Sequence, residues 1–289
     1  GASPYGIHRL YQLPSNDDNN NNNTSSLGPS IIVSGDDEGT IRLWDIRMCG
    51  NYSTPATSTT SVGGKKKGRS DGSMKTTSSS NNDSSIMPRP KGCIMSFSNN
   101  RDYISEFDMY GNTLLATSAD GTLSAYDLSK PGQLSGHKNS IISKSSSVIK
   151  QSDEQEDELT SVVVMKNGRK VVCGSQMGVL NVWSFGTWGD VSDRFPGHPQ
   201  SIDSLLKVDE DTLLTGCSDG FIRAVQIHPD KLLGVIGGDH GGFPVEALRF
   251  SPNRKLLGSI SHDVILRLWD ASVLNDDDGD DDDDDEDDD

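Results

Sequence analysis

Five stretches of this sequence align without gaps: IIVSGDDEGTIRLWDI (31–46), LLATSADGTLSAYDL (114–128), KVVCGSQMGVLNVWSF (170–185), TLLTGCSDGFIRAVQI (212–227) and LLGSISHDVILRLWDA (256–271). Each is a β-branched or Leu-rich run, a tight polar turn, then alternating apolar and polar residues. Period-two patterning on both sides of Gly, Asp or Ser is the mark of a β-hairpin. A hairpin stated five times makes the chain an array, in which each unit buries its apolar faces only against its neighbours. The place of Trp269 is taken in the other stretches by Trp44, Tyr126, Trp183 and Val225, at successive separations of 82, 57, 42 and 44 residues.

The last two separations match the ~40–45 residue period of WD repeats, and the first two match once inserts are removed. Three stretches have insert composition: 17–26 with its Asn run, 48–91, rich in Ser, Thr, Asn and Gly, and 139–158, Ser-rich and then acidic. None holds enough apolar surface to offset the entropy of ordering it. Between the hairpins, HRLYQL (8–13), SIDSLLKV (201–208) and VEALRFS (245–251) read as innermost strands, and LLGVIG (232–237) as an outer one. The predicted fold is all-β, a WD40-type β-propeller with five recognisable four-stranded blades over residues 1–274, followed by an acidic tail, 275–289. No spare strand precedes residue 8, and five blades lie within the range of known propellers.

The aromatics Trp44, Tyr126, Trp183 and Trp269 recur because each blade needs a large ring at the end of its third strand, with a buried acceptor for its polar hydrogen. In the last repeat His240, Ser259, Asp263 and Trp269 stand at the spacings of a buried hydrogen-bond relay, which satisfies groups that are otherwise costly to bury. The fourth repeat has His198, Thr215 and Asp219, but Val225 replaces the aromatic, and the third has Met177 in place of the Asp. Repeat stability is therefore expected to be uneven.

Charge is concentrated at one end. Residues 276–289 carry 13 acidic groups in 14 positions, and without them the net charge falls from −17 to −4. Such a run stays solvated; it is either a lure for basic partners or a solubilising tail, and it disfavours contact with nucleic-acid phosphates. Lys65, Lys66, Lys67 and Arg69 form a short basic run that reads either as an import signal or as linker charge. The four cysteines lack CxxC spacing, which points to a reducing compartment. No segment reaches the ~18 apolar residues of a membrane span, and GASPYGIHRL lacks the apolar core of a signal peptide.

Other chemistry is poorly supported. His240-Gly241-Gly242 resembles an esterase oxyanion loop, but no Gly-x-Ser-x-Gly elbow accompanies it. Gly63-Gly64 before three lysines fails the spacing of a phosphate loop. The six histidines show no metal-site spacing, so no metal, cofactor or small-molecule substrate is expected. Trp188, flanked by Gly186 and Gly189, and Arg194 are candidates for partner binding, since Trp and Arg are enriched at interface hot spots. The competing reading is that Trp188 packs onto its own blade.

Beyond the generic repeat, FGTWGDVSDRFPGHPQSID (185–203), DGFIRAVQIHPDKLLG (219–234), RDYISEFDM (101–109) and ADGTLSAYDL (119–128) resemble the WD repeat-containing protein 55 family. The resemblance covers about residues 31–46 and 101–274. It implies a fragment of a seven-bladed parent lacking about two N-terminal blades, which would leave open sheet edges. It also implies a nucleolar, non-enzymatic scaffold for ribosomal RNA processing and ribosome biogenesis, with pre-ribosomal assembly factors or basic ribosomal proteins as partners; direct RNA contact stays open. The chain departs from the family pattern in its missing early blades, its 48–91 insertion and its nearly all-Asp ending. A substrate adaptor of a ubiquitin ligase, or a chromatin-associated WD-repeat reader, is the alternative. A hydrolase at the central channel is a third reading, for which no nucleophile, base and orienting group assemble from motifs.

Overall fold

The computed structural model describes residues 6–14, 27–48, 92–129, 148–238 and 240–274. They form antiparallel sheets arranged as the blades of a β-propeller. The first blade is β1 (Ile7–Gln12), β2 (Ile31–Asp36), β3 (Ile41–Asp45) and β4 (Cys93–Phe97). The second is β5 (Ile104–Tyr110), β6 (Thr113–Ser118), β7 (Leu123–Asp127) and β8 (Val148–Gln151). The third is β9 (Leu159–Met165), β10 (Lys170–Ser175), β11 (Val179–Ser184) and β12 (Asp193–Pro196). The fourth is β13 (Ile202–Lys207), β14 (Thr212–Cys217), β15 (Phe221–Gln226) and β16 (Lys231–Gly238). The fifth has three strands among the described residues, β17 (Val245–Phe250), β18 (Leu256–Ser261) and β19 (Leu266–Asp270).

The sequence alignment is also a structural one. Ile32 faces Trp44, Leu114 faces Tyr126, Val171 faces Trp183, Leu213 faces Val225 and Leu257 faces Trp269, the same hairpin register in every blade. Each inner strand also carries a bulge near its start, skipping His8, Ser105, Thr160, Asp203 or Glu246. A bulge sharpens the local twist.

Four apolar cores lie one at each junction between successive blades. The first joins Val33, Ile41 and Leu43 to Ile104, Phe107 and Leu114. The second joins Leu115 and Leu123 to Val164, Val171 and Trp183. The third joins Val172 and Val182 to Ile202 and Leu213, and the fourth joins Leu214 and Ile222 to Val245 and Leu257. Among the described residues no fifth core joins the last blade to the first, and apolar side chains stand open on both flanks: Ile7 and Leu10 on β1, Leu266 and Leu268 on β19.

One sequence boundary needs correction. Residues 148–158 fall in the expected 139–158 insert, yet 148–151 form β8, the outer strand of the second blade, and pair with Ser124, Ala125 and Tyr126 of β7. The segment after it is tied down as well: Ser152 accepts the Leu123 N–H at 2.9 Å and the Gln155 N–H meets the Gly121 carbonyl at 2.9 Å. The preceding Ser run masked a strand of only four residues, VIKQ. The Asn run, the rest of the inserts and the acidic tail lie outside the described residues.

The hairpin turns show what blade packing demands. Gly39, Gly121, Gly178 and Gly220 occupy one turn position in the first four blades, all at positive φ. Their missing side chains let the next blade's loop approach: a Cβ on Gly178 would lie 2.5 Å from the His198 carbonyl oxygen. In the fifth blade the equivalent residue is Val264, at φ +58° and 96% exposed. A β-branched residue is strained there. Val264→Gly is therefore expected to stabilise the protein by about 1 kcal/mol, while Gly178→Val destabilises it. Urea denaturation of both variants checks the contrast.

Candidate protein-docking face

The inner strands converge on a cavity of about 640 Å³ to which every blade contributes: Tyr11 from β1, Glu106 and Asp108 from β5, Val163 from β9, Lys207 from β13 and Arg249 from β17. Its lining mixes acid, base and apolar groups. Arg9 pairs with Glu106 across the first two blades, its Nε donating to Oε1 at 3.0 Å. Lys207 pairs with Glu210 at 2.6 Å, and the Arg254 guanidinium lies 4.7 Å over the Phe250 ring while donating to the Val208 carbonyl. Asp108 accepts the peptide N–H groups of Met109 and Val164, each at 2.8 Å. Burial nevertheless outweighs those bonds and pushes its carboxyl up to about 6. Sequence reasoning had located several of these inner strands but none of their cavity-facing charges. The signal was there, in the polar residues that interrupt EFDM (106–109), LLKV (205–208) and ALRF (247–250).

The polar chain of the fifth blade links the residues before its inner strand to the turn between its second and third strands, away from the cavity lining. Trp269 Nε1–H donates to Ser259 Oγ at 2.9 Å, Ser259 Oγ lies 2.8 Å from His240 Nε2, and His240 Nδ1 lies 3.0 Å from Asp263 Oδ2. Arg267 pairs with the same Asp263 oxygen. Desolvation works to raise the Asp263 carboxyl, but the bonds from Arg267, the Ile265 N–H and His240 together hold it down at about 2. Ser, His and Asp in this order have the connectivity of a hydrolase triad. Ser259 and His240 are wholly buried, and the serine oxygen is already engaged by the Trp269 indole, so no substrate carbonyl can reach it.

The fourth blade holds half of that chain. His198 Nε2 lies 3.0 Å from Thr215 Oγ1, but Asp219 turns away to Arg223, bonding Nη1 at 3.0 Å and Nη2 at 2.5 Å. His198 Nδ1 is left buried without a partner. Desolvation, helped by the nearby Arg223 charge, lowers the imidazole to about 4. In the first blade Trp44 Nε1–H donates to Ser34 Oγ at 2.8 Å, and among the described residues no histidine bonds to that serine. Tyr126 donates to Asn99 Oδ1 at 2.8 Å, and Trp183 Nε1–H to the Gly189 carbonyl at 3.2 Å.

Trp188 does not serve as a partner-binding surface and is corrected on that point. It is buried in the core between the second and third blades, edge-on to Phe185 with centroids 5.1 Å apart. The glycines beside it fold the connection back onto its own blade instead of displaying the ring. Arg194 is exposed on β12 and donates to Gln155 Oε1 at 2.9 Å, crossing to the loop that follows β8. Lys65, Lys66, Lys67 and Arg69 lie outside the described residues. No helix among the described residues is long and apolar enough to cross a membrane.

Comparison with known proteins places this architecture. The family model described as WD domain, G-beta repeat, matches residues 16–45. WD repeat-containing protein JIP5 of Coprinopsis cinerea is 36% identical over 256 residues, covering 85% of this chain and 49% of that protein. WD repeat-containing protein 55 of Arabidopsis thaliana is 36% identical over 242 residues, covering 83% of this chain and 52% of that protein. The mouse WD repeat-containing protein 55 is 31% identical over 245 residues, covering 84% and 48%. The chain thus spans about half the length of the curated relatives it matches.

Two outcomes follow from the relays. Ser259→Ala strands both the His240 nitrogen and the Trp269 N–H, and is expected to cost about 1–3 kcal/mol, more than Ser34→Ala, which strands one donor; thermal denaturation of the pair measures the difference. His198 is harder to protonate folded than unfolded. The unfolded chain therefore takes up that proton first, and stability falls as pH drops from 6.5 toward about 4. Asp108 acts in the opposite sense, adding stability as pH falls through about 6. His198→Gln should flatten the acid-side loss relative to wild type in urea denaturation between about pH 7 and pH 4.

Proposed function

Since the chain belongs to the WD repeat-containing protein 55 family, we propose that it is a non-enzymatic scaffold of the nucleolus that supports ribosomal RNA processing and ribosome biogenesis through protein–protein contacts. The observation that carries the scaffold reading is the cavity to which every blade's inner strand contributes, rimmed by paired charges. It presents a preformed, polar-rimmed concavity of the kind that accepts a side chain or a chain segment. The one nucleophile-like constellation among the described residues is closed to solvent and structural.

The nucleolar reading rests on the family resemblance and on charge. A tail with 13 acidic groups in 14 residues complements the basic surfaces of ribosomal proteins. It holds them weakly and releases them as salt rises, since exposed charges are screened within about 10 Å at 0.1 M.

Affinity purification of the complete gene product from its own cells, with mass spectrometry and RNA sequencing of what is recovered, tests the proposal. Large-subunit precursors with ribosome assembly factors are expected. Ligase subunits or chromatin proteins without ribosomal precursors would transfer the scaffold to the adaptor or chromatin reading. Deleting 276–289 is expected to reduce capture of basic ribosomal proteins at low salt and to leave it unchanged at high salt.

A further inference from the structure

We propose that Asp193, His228 and Asp230 bind a divalent transition ion of the zinc type at the outer rim between the third and fourth blades. Asp193 opens β12, the outermost strand of the third blade, while His228 and Asp230 stand in the turn between β15 and β16 of the fourth. Asp193 is 35 residues from His228 in sequence. The fold brings one ligand atom from each of the three within 4.8 Å of the others.

The local geometry orients all three. The Arg194 N–H donates to Asp193 Oδ1 at 2.8 Å, and the His228 N–H donates to Asp230 Oδ1 at 3.0 Å, leaving the second oxygen of each carboxylate for a ligand. His228 Nδ1 lies 3.7 Å from Asp230 Oδ1, too long for a hydrogen bond. The nearby cations are committed elsewhere. Arg194 reaches Gln155, and the Lys166 ammonium pairs with Asp211 at 2.5 Å while touching the His228 carbonyl at 3.3 Å. Two carboxylates and an imidazole therefore face one another, and among the described residues no side-chain cation lies between them. That repulsion favours a bound positive ion.

The donor set selects the ion. One imidazole nitrogen and two carboxylate oxygens suit zinc, cobalt or manganese, whereas calcium and magnesium take oxygen alone and copper(I) takes sulfur. Bonds of about 2.0–2.2 Å require the ligand atoms to draw together, which the exposed Asp193 side chain allows. Three protein ligands leave positions open for water or for a side chain of a docked partner. Because the ligands come from two blades, the ion ties β12 to the neighbouring turn.

The test is zinc titration of the whole chain after chelator treatment, by calorimetry, with excess magnesium present to occupy the acidic tail. One tight equivalent of zinc is expected for wild type, together with a raised melting temperature. His228→Ala and Asp193→Asn should each weaken that equivalent at least ~10-fold and abolish the thermal shift. Cobalt in place of zinc should give visible absorption bands that vanish in His228→Ala. Wild type and both variants binding zinc alike, or wild type binding no equivalent beyond those that survive in His228→Ala, would overturn the proposal. Circular dichroism establishes that each variant is folded, and these exposed substitutions touch no core.

Discussion

The structure depends on how closely one blade's inner strand can approach the second strand of the blade before it. At that contact Gly35, Gly174 and Gly216 stand at equivalent positions, and a Cβ on them would lie 2.5 Å from Ile104 Cβ, 2.8 Å from the Ile202 carbonyl oxygen and 2.8 Å from Val245 Cγ1 of the next blade, respectively. The space a side chain would fill is used for hydrogen bonding. Ser161 Oγ donates to the Ile202 carbonyl at 3.1 Å, and Ser204 Oγ to the Val245 carbonyl at 2.9 Å. Between the second and third blades Ser105 donates to the Leu159 carbonyl, with Thr117 in the glycine's place. Each of the last three junctions thus combines an apolar core with a polar link to the first residue of the next inner strand, a carbonyl that the bulge leaves outside the regular ladder.

Within that frame the buried polar chains are unequal for a definite reason. The fifth blade needs His240, Ser259, Asp263 and Trp269 all present, and each atom finds its partner. In the fourth, Arg223 captures Asp219, so His198 is left half-satisfied and held neutral. The same four-residue idea therefore yields a closed network in one blade and a strained remnant in the next. Networks of this kind stabilise when complete and are costly when one member is diverted.

Much of the fold was legible because hairpin register is a sequence property. A one-residue slip would turn every apolar side chain to the wrong face, so alternation specifies pairing. The spacing of His240, Ser259, Asp263 and Trp269 was readable for the same reason. β8 was not, because a strand this short has almost no periodicity to detect and follows a serine run. Trp188 was ambiguous because flanking glycines equally permit a displayed loop and a folded-back one, and only packing against Phe185 decides. The meeting of Asp193 with His228 and Asp230 was invisible, since ligand spacing along the chain says nothing about residues that two different blades bring to one rim.

The blades have a direction: each inserts its inner strand into a notch on its predecessor and offers a notch to its successor. Among the described residues the first blade's outer flank is an inserting side and the fifth's is a receiving side. The fifth blade does not offer the usual notch. Where Gly35, Gly174 and Gly216 stand in other blades it carries Ile260, 46% exposed, and where the turn glycines stand it carries Val264. Both side chains occupy space that an inserting strand and its loop would need. Any strand seated on that flank must therefore bring a recess of its own for Ile260 and Val264.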